Sequence, residues 1–140
     1  MKVRIVCYED VHKWIIGKFA LKLRENLLIE GVDVEIGGTP DLRADINHHI
    51  IYGGFDGKPS TIDTLMITHI DNISKLRRLT QMLSVAQLGI CLSRESVTTL
   101  GNSGIPREKL CFINPAHDGV IKPRPKTVGI ACRVQEDGRK

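Results

Sequence analysis

No apolar run in this 140-residue sequence approaches the ~18 residues of a membrane-spanning helix. The opening stretch, MKVRIVCYED, meets acidic charge after eight residues, so no secretory signal is expected. The four cysteines, Cys7, Cys91, Cys111 and Cys132, are far apart, each inside an apolar run, and none forms a C-x-x-C pair. They read as buried, reduced thiols of a cytoplasmic protein rather than as metal ligands or disulfide partners. The glycine signatures of nucleotide chemistry are missing too. There is no G-x-G-x-x-G to hold a dinucleotide and no G-x-x-x-x-G-K-[ST] to cradle a triphosphate. No G-x-S-x-G and no Cys–His pair supports a hydrolase. Repeats and low-complexity segments are also absent, and no cofactor or metal is expected.

Basic charge is scarce where a nucleic-acid binder would need it. Residues 1–120 carry fourteen Lys or Arg against fourteen Asp or Glu, so the net charge of +4 arises in residues 121–140, where six basic residues face two acidic ones. A short basic tail of this kind is a solvated linker or a local anion site, not a nucleic-acid face.

What the sequence does contain is a strand and helix alternation. KVRIVCY (residues 2–8) is short and rich in β-branched residues, as a buried strand is. Next comes WIIGKFALKLRENLLIEG, where Ile16, Phe19, Ala20, Leu23 and Leu27 recur at helical spacing on one face, and Gly31 is placed to end the helix. VDVEIGG alternates as a strand. This β-α-β order predicts a parallel pair with a right-handed crossover. ADINHHIIYGG reads as a third strand and TLMITHI (residues 64–70) as a fourth. NISKLRRLTQMLSVA is a helix with Leu76, Leu79, Leu83 and Ala86 on one face; QLGICLS is a fifth strand; RESVTTLGNSG is a short helix ending in glycine, Gly104; KLCFINP is a sixth strand. Only about eight residues join strands two and three, fewer than a helical crossover needs, so a cramped turn of helix or an extended loop is expected there. The expected fold is α/β: a doubly wound, mostly parallel, Rossmann-like sheet of about six strands with helices on both faces. Residues 1–118 form this domain, the proline-rich residues 119–127 a linker, and residues 128–140 a strand stub that opens a second domain.

In such a sheet ligands bind beyond the carboxyl ends of the strands. The first loop there, YEDVHKWIIG, offers Asp10 as a helix cap, His12 and Lys13 to face a ligand, and Trp14 to stack on it or to pack on the sheet edge. In NHH, His48 and His49 point to opposite faces of a strand, so a buried, hydrogen-bonded histidine is expected rather than a chelating pair. His69 and Asp71 sit where strand four ends. His69 there is suited to bind a sugar or phosphate or to act as a base; Asp71 is also suited to cap the next helix.

Taken in order, these segments resemble a known family. SRESVTTLGNSGIPREKLCFINPAHDGV resembles the end of the N-terminal lobe of GT-B-fold glycosyltransferases of family 4, through Ser93, Glu95, Leu100, Gly104, Ile105, Pro106, Lys109, Ile113 and Asp118. The family's usual Asn-Gly before that Asp is replaced: Asn114 is followed by Pro115, Ala116 and His117. THID resembles the family's His-bearing strand end. The closing PKTVGIACRVQEDGRK resembles the first strand and phosphate loop of the donor lobe, with Arg133 and Lys140 in the positions of its two cations. The resemblance implies a metal-independent, retaining enzyme that moves a sugar from a nucleotide diphosphate to a glycan, lipid or small-molecule acceptor, at the inner face of a membrane or free in the cytoplasm. It makes His69 catalytic, places Asp10, His12, Lys13 and Trp14 on the acceptor side, and puts the donor diphosphate on Arg133 and Lys140, where fixed cations stabilise the leaving charge. It further implies that the sequence stops just inside the donor lobe and that this chain is inactive by itself. The alternative from a different class is a non-catalytic flavodoxin- or receiver-like binding domain, for which Glu9 and Asp10 are the relevant feature.

Overall fold

The structure, a computed structural model, describes residues 1–114. The linker, the strand stub, Cys132, Arg133 and Lys140 lie outside the described residues, as do Asp118 and the residues that replace the Asn-Gly pair.

The six strands are β1 (Lys2–Val6), β2 (Asp33–Gly37), β3 (Ile46–His49), β4 (Ile62–Ile67), β5 (Leu88–Cys91) and β6 (Leu110–Phe112). They form one sheet in the order β2-β1-β3-β4-β5-β6, and every neighbouring pair is parallel. Three helices connect them: α1 (Ile15–Ile29), α2 (Ile73–Val85) and α3 (Arg94–Asn102).

Two apolar clusters divide the molecule by sheet face, because successive strand residues point opposite ways. On one face Ala20 of α1, with Ile16, Phe19, Leu23 and Leu27, packs on Val3, Ile5 and Val34. On the other, Leu79 and Leu83 of α2 and Leu100 of α3 pack on Leu65, Ile67 and Cys91. The helical faces read from sequence are therefore the faces that bury, and the fold is doubly wound α/β. Both α1 and α3 stop by the same local chemistry. Gly31 and Gly104 take positive φ (74° and 93°), and the next residue donates its N–H back into the last turn (Val32 to the Leu27 carbonyl, 2.9 Å; Ile105 to the Leu100 carbonyl, 3.2 Å). The two residues joined by each closing bond also share one apolar cluster.

Residues 38–45 resolve the short connection. They contain no helix; bends and a turn at Asp41–Ala44 carry the chain across β1. Eight extended residues reach up to about 26–29 Å, whereas eight helical ones advance only about 12 Å. The connection must return along a strand of roughly 16 Å and cross about 10 Å of sheet, so a helix of that length cannot span it. Polar contacts hold it. Asn47, fully buried on β3, accepts from the Asp41 backbone N–H (2.8 Å) and donates to the Asp41 carbonyl (3.1 Å). Arg4 Nε donates to the Thr39 carbonyl at 3.1 Å. The Arg43 backbone N–H, then the Arg43 and Lys2 side chains, hold the Asp41 carboxyl well below the usual carboxylate range.

Strand ends depart from the sequence reading. β1 stops at Val6, not at residue 8; β3 stops at His49 and the chain turns into a 3-10 segment, Tyr52–Gly54, that drops Tyr52 and Phe55 into the core. β4 begins two residues earlier than residue 64 and ends three before residue 70. Cys7 and Cys91 are buried and free, and Cys111 is half-buried and free; burial pushes the Cys91 thiol up to about 11. No helix among the described residues is long and apolar enough to cross a membrane.

Candidate functional site at the sheet switch point

From β1 the chain goes outward to β2, then returns to place β3 on the other side of β1. The loops after β1 and β3 therefore diverge at the carboxyl edge, where open α/β sheets form their ligand crevice. A cleft of about 720 Å³ opens beside this point, lined among others by Tyr8, Glu9, Asp10, Val11, Arg24 and Gly38.

The loop after β1 carries four of the expected residues. Asp10 does not cap α1. Its side chain accepts the His12 backbone N–H at 3.0 Å and faces Lys13 Nζ at 3.6 Å, closing a turn that ends before the helix starts. The N-cap residue is Trp14, with no side-chain cap bond. A carboxylate four residues upstream of the N-cap bonds its own loop more readily than a helix it does not abut. Trp14 is 66 % exposed, so it does not pack on the sheet edge. His12 and Lys13 are exposed beside it.

The loop folds back onto α1 because residue 17 is glycine. A Cβ on Gly17 would overlap the Val11 backbone. Alanine there gains up to about 1 kcal/mol of helix propensity but must displace main chain, and overpacking costs about 1–3 kcal/mol or more. Gly17→Ala is expected to lose about 1–2 kcal/mol net in urea denaturation and to shift the amide signals of residues 8–14. Unchanged or raised stability would mean the close approach is not there.

His69 lies past the end of β4, with its side chain 69 % exposed, 3.2 Å from Thr68 Oγ1 and 3.8 Å from Asp71 Oδ2. Asp71 does not cap α2; Asn72 does, accepting the Lys75 N–H at 2.9 Å. The Lys75 ammonium at 2.8 Å instead holds the Asp71 carboxyl below its usual range. Since β3 separates β1 from β4, the loops bearing Trp14 and His69 spring from strands about 10 Å apart on one edge. Of the expected acceptor-side residues, Asp10 alone lines the cleft.

The most ordered chemistry at this edge joins the expected histidine pair to partners that sequence reasoning did not single out: Tyr8, Asp63, Ser60 and Thr64. His48 and His49 do point to opposite faces and both are buried, at 8 % and 0 % exposure. His48 Nδ1 meets Thr64 Oγ1 at 2.8 Å, and burial, then the neighbouring His49, pushes it down to about 4. His49 is held at both ring nitrogens: Nε2 lies 2.9 Å from Asp63 Oδ1, and Nδ1 lies 2.7 Å from the Tyr8 hydroxyl. Asp63, fully buried, also accepts the Ser60 hydroxyl (2.7 Å) and the Ser60 N–H (2.8 Å). Ser60 Oγ in turn accepts from Asn47 Nδ2 at 2.9 Å. The donor inventory then orients the whole chain. Asn47 can only donate to Ser60, so the Ser60 proton goes to Asp63. With a neutral imidazole, Asp63 accepts from His49 Nε2–H, which leaves Nδ1 as an acceptor for the Tyr8 O–H. No buried side-chain polar atom among the described residues lacks a partner. Phe55 packs on the imidazole at 4.6 Å between ring centroids, and Tyr8 stacks at 6.1 Å. A Cβ on Gly54 would overlap the Tyr8 ring, so glycine is what admits it. The available signal was Asp63, an acid inside an apolar strand run.

Among the described residues no group of three or more His, Cys, Asp or Glu is disposed to hold a metal ion. No family model, curated protein or solved structure matches the chain. Fold and site together define a doubly wound α/β domain with a polar switch-point edge.

Proposed function

We propose that this chain is the acceptor-side lobe of a metal-independent, retaining glycosyltransferase that uses a nucleotide-diphosphate sugar, with the carboxyl edge of the sheet as its acceptor face. The observation that carries this reading is the exposure, on one sheet edge, of an aromatic ring and three nitrogen-bearing side chains: Trp14, His12, Lys13 and His69. An exposed indole stacks on the apolar face of a sugar ring, and imidazole and ammonium groups hydrogen-bond its hydroxyl or phosphate oxygens. On this reading His69 touches the reacting acceptor, and Arg133 and Lys140 take the donor diphosphate. On this reading the complete activity belongs to two lobes, and the acceptor lobe is inactive without the donor lobe.

Trp14 is the sequence's one tryptophan and so reports on this edge directly. Titrating the chain with a panel of monosaccharides, sugar phosphates and nucleotide sugars is expected to quench Trp14 fluorescence saturably for at least one acceptor class, with amide shifts confined to residues 12–14 and 68–71. Sugar turnover by the chain alone would overturn the two-lobe reading.

A second reading, a flavodoxin- or receiver-like binding domain, is favoured by the strand order, since β2-β1-β3-β4-β5 is the order of those folds. Against it, the last residue of β3 is His49, engaged at both nitrogens, where a receiver needs a free carboxylate. Magnesium decides between them: saturable shifts at Glu9 and Asp10, with no response to any sugar, would replace the transferase reading with this one.

A further inference from the structure

We propose that Tyr8, His49 and Asp63 form a proton relay that serves the switch-point cleft, taking a proton from a hydroxyl group of a bound ligand. It rests on the acceptor-face reading only for the ligand's identity as a hydroxyl-bearing acceptor.

Access is the first argument. His49 and Asp63 are both 0 % exposed, whereas Tyr8 is 37 % exposed and lines the cleft. Anything that exchanges a proton with the buried pair from this side does so through the phenol oxygen. Orientation is the second. The Tyr8 proton points inward to His49 Nδ1, so the oxygen's remaining lone pairs are left to accept a hydrogen bond from a ligand O–H. Rigidity is the third: Phe55, the Tyr8 stack and the Asp63 bond hold the imidazole in one orientation before any ligand arrives.

The step balances without a further reactant. The ligand O–H donates to Tyr8 Oη. Its proton passes to Oη as the Tyr8 proton passes to His49 Nδ1. The ligand oxygen keeps the electron pair of the broken O–H bond and becomes the nucleophile. The imidazolium that results is already paired with Asp63 at 2.9 Å. Free phenolate need not accumulate, which suits a phenol that burial, then Asp56 and Asp63, pushes up to about 12. The groups on the imidazole are Tyr8 from the loop after β1, Asp63 from β4 and Phe55 from the segment between β3 and β4; His48 lies on the other face of the same strand, Asp56 acts on Tyr8, and Ser60 bonds Asp63. Tyr8 would be the catalytic residue; His49 and Asp63 act through it.

Two measurements on the ligand-free chain test the relay, so its failure is separable from failure of the sugar titration. Nitrogen-15 spectra of the His49 ring are expected to show a protonated Nε2 and an unprotonated Nδ1, the latter shifting in Tyr8→Phe. A proton resident on Nδ1 would overturn the proposal. The second probe is N-acetylimidazole. Tyr8 Oη bonds to the acetyl carbon, the acetyl C–N bond breaks, the departing imidazolate takes a proton from water to leave as imidazole, and the phenol proton goes to His49. Tyr52, the other of two tyrosines and 6 % exposed, is the internal reference. Acetylation of Tyr8 at neutral pH is expected to be about tenfold or more faster in the wild type than in His49→Gln, whose amide still accepts the Tyr8 hydrogen bond but takes up no proton. Equal rates in two folded proteins would overturn the relay; should His49→Gln fail to fold, the wild-type tautomer decides.

Discussion

Asp63→Ala is expected to be the most damaging single substitution at the switch point, lowering stability by about 3–5 kcal/mol. The carboxylate is fully buried and accepts three hydrogen bonds, from His49 Nε2, Ser60 Oγ and the Ser60 backbone N–H. Alanine leaves these donors facing a void. An unsatisfied buried donor costs about 1–3 kcal/mol, and one of the three, the imidazole N–H, is entirely shut off from water. The damage spreads because the network is connected: Ser60 also holds Asn47, and Asn47 anchors the connection from β2 to β3. Guanidinium denaturation of wild type and variant measures the difference, and Asp63→Asn, which retains one acceptor oxygen, should lose less. A loss under about 1 kcal/mol for Asp63→Ala would mean that the network carries little of the fold's stability.

Acidification should weaken the wild type between pH 6.5 and 4 through His48. Burial keeps this imidazole neutral in the fold, down to about 4, while in the unfolded chain it takes up a proton near 6.5. Between those limits the unfolded state binds more protons than the folded state, so stability falls as pH falls, and below about 4 this contribution levels off. At 1.36 kcal/mol per pH unit the whole window amounts to on the order of 3 kcal/mol. The carboxyls of Asp41 and Asp71, held below their usual range, act at lower pH: their stabilisation is present at neutral pH and is lost as acid protonates them. Comparing wild type with His48→Gln, which keeps a partner for Thr64 and cannot titrate, isolates the His48 arm. Stability curves that run parallel from pH 6.5 to 4 would refute it.

The residues behind these two effects show what a linear reading sees. His48 and His49 were legible as a buried, oppositely facing pair, because side-chain alternation along a strand is a local rule. Their partners were not. Tyr8 read as the last residue of a strand, yet β1 ends at Val6 and frees it to cross to His49. Asp63 read as lying before a strand, because an acid in a buried run looks like a boundary until its donors are known. Asp10 and Asp71 read as helix caps by position. Each is instead captured by a nearer donor or cation, His12 N–H with Lys13 in one case and Lys75 in the other. Trp14 and His69 were placed on the right edge, since strand ends in a doubly wound sheet all open to the same side.

The linear chain alone settled the β-α alternation, the buried faces of α1 and α2, and the glycine stops at Gly31 and Gly104. All of these depend on side chains within one or two helical turns of each other, or on one residue's backbone freedom. Only the folded molecule settled the strand order, the non-helical crossing of residues 38–45, and the joining of Tyr8 to His49 across 41 positions and of His49 to Asp63 across 14. A buried polar group must find its partners wherever the sheet brings them, and that distance in sequence carries no periodicity to read.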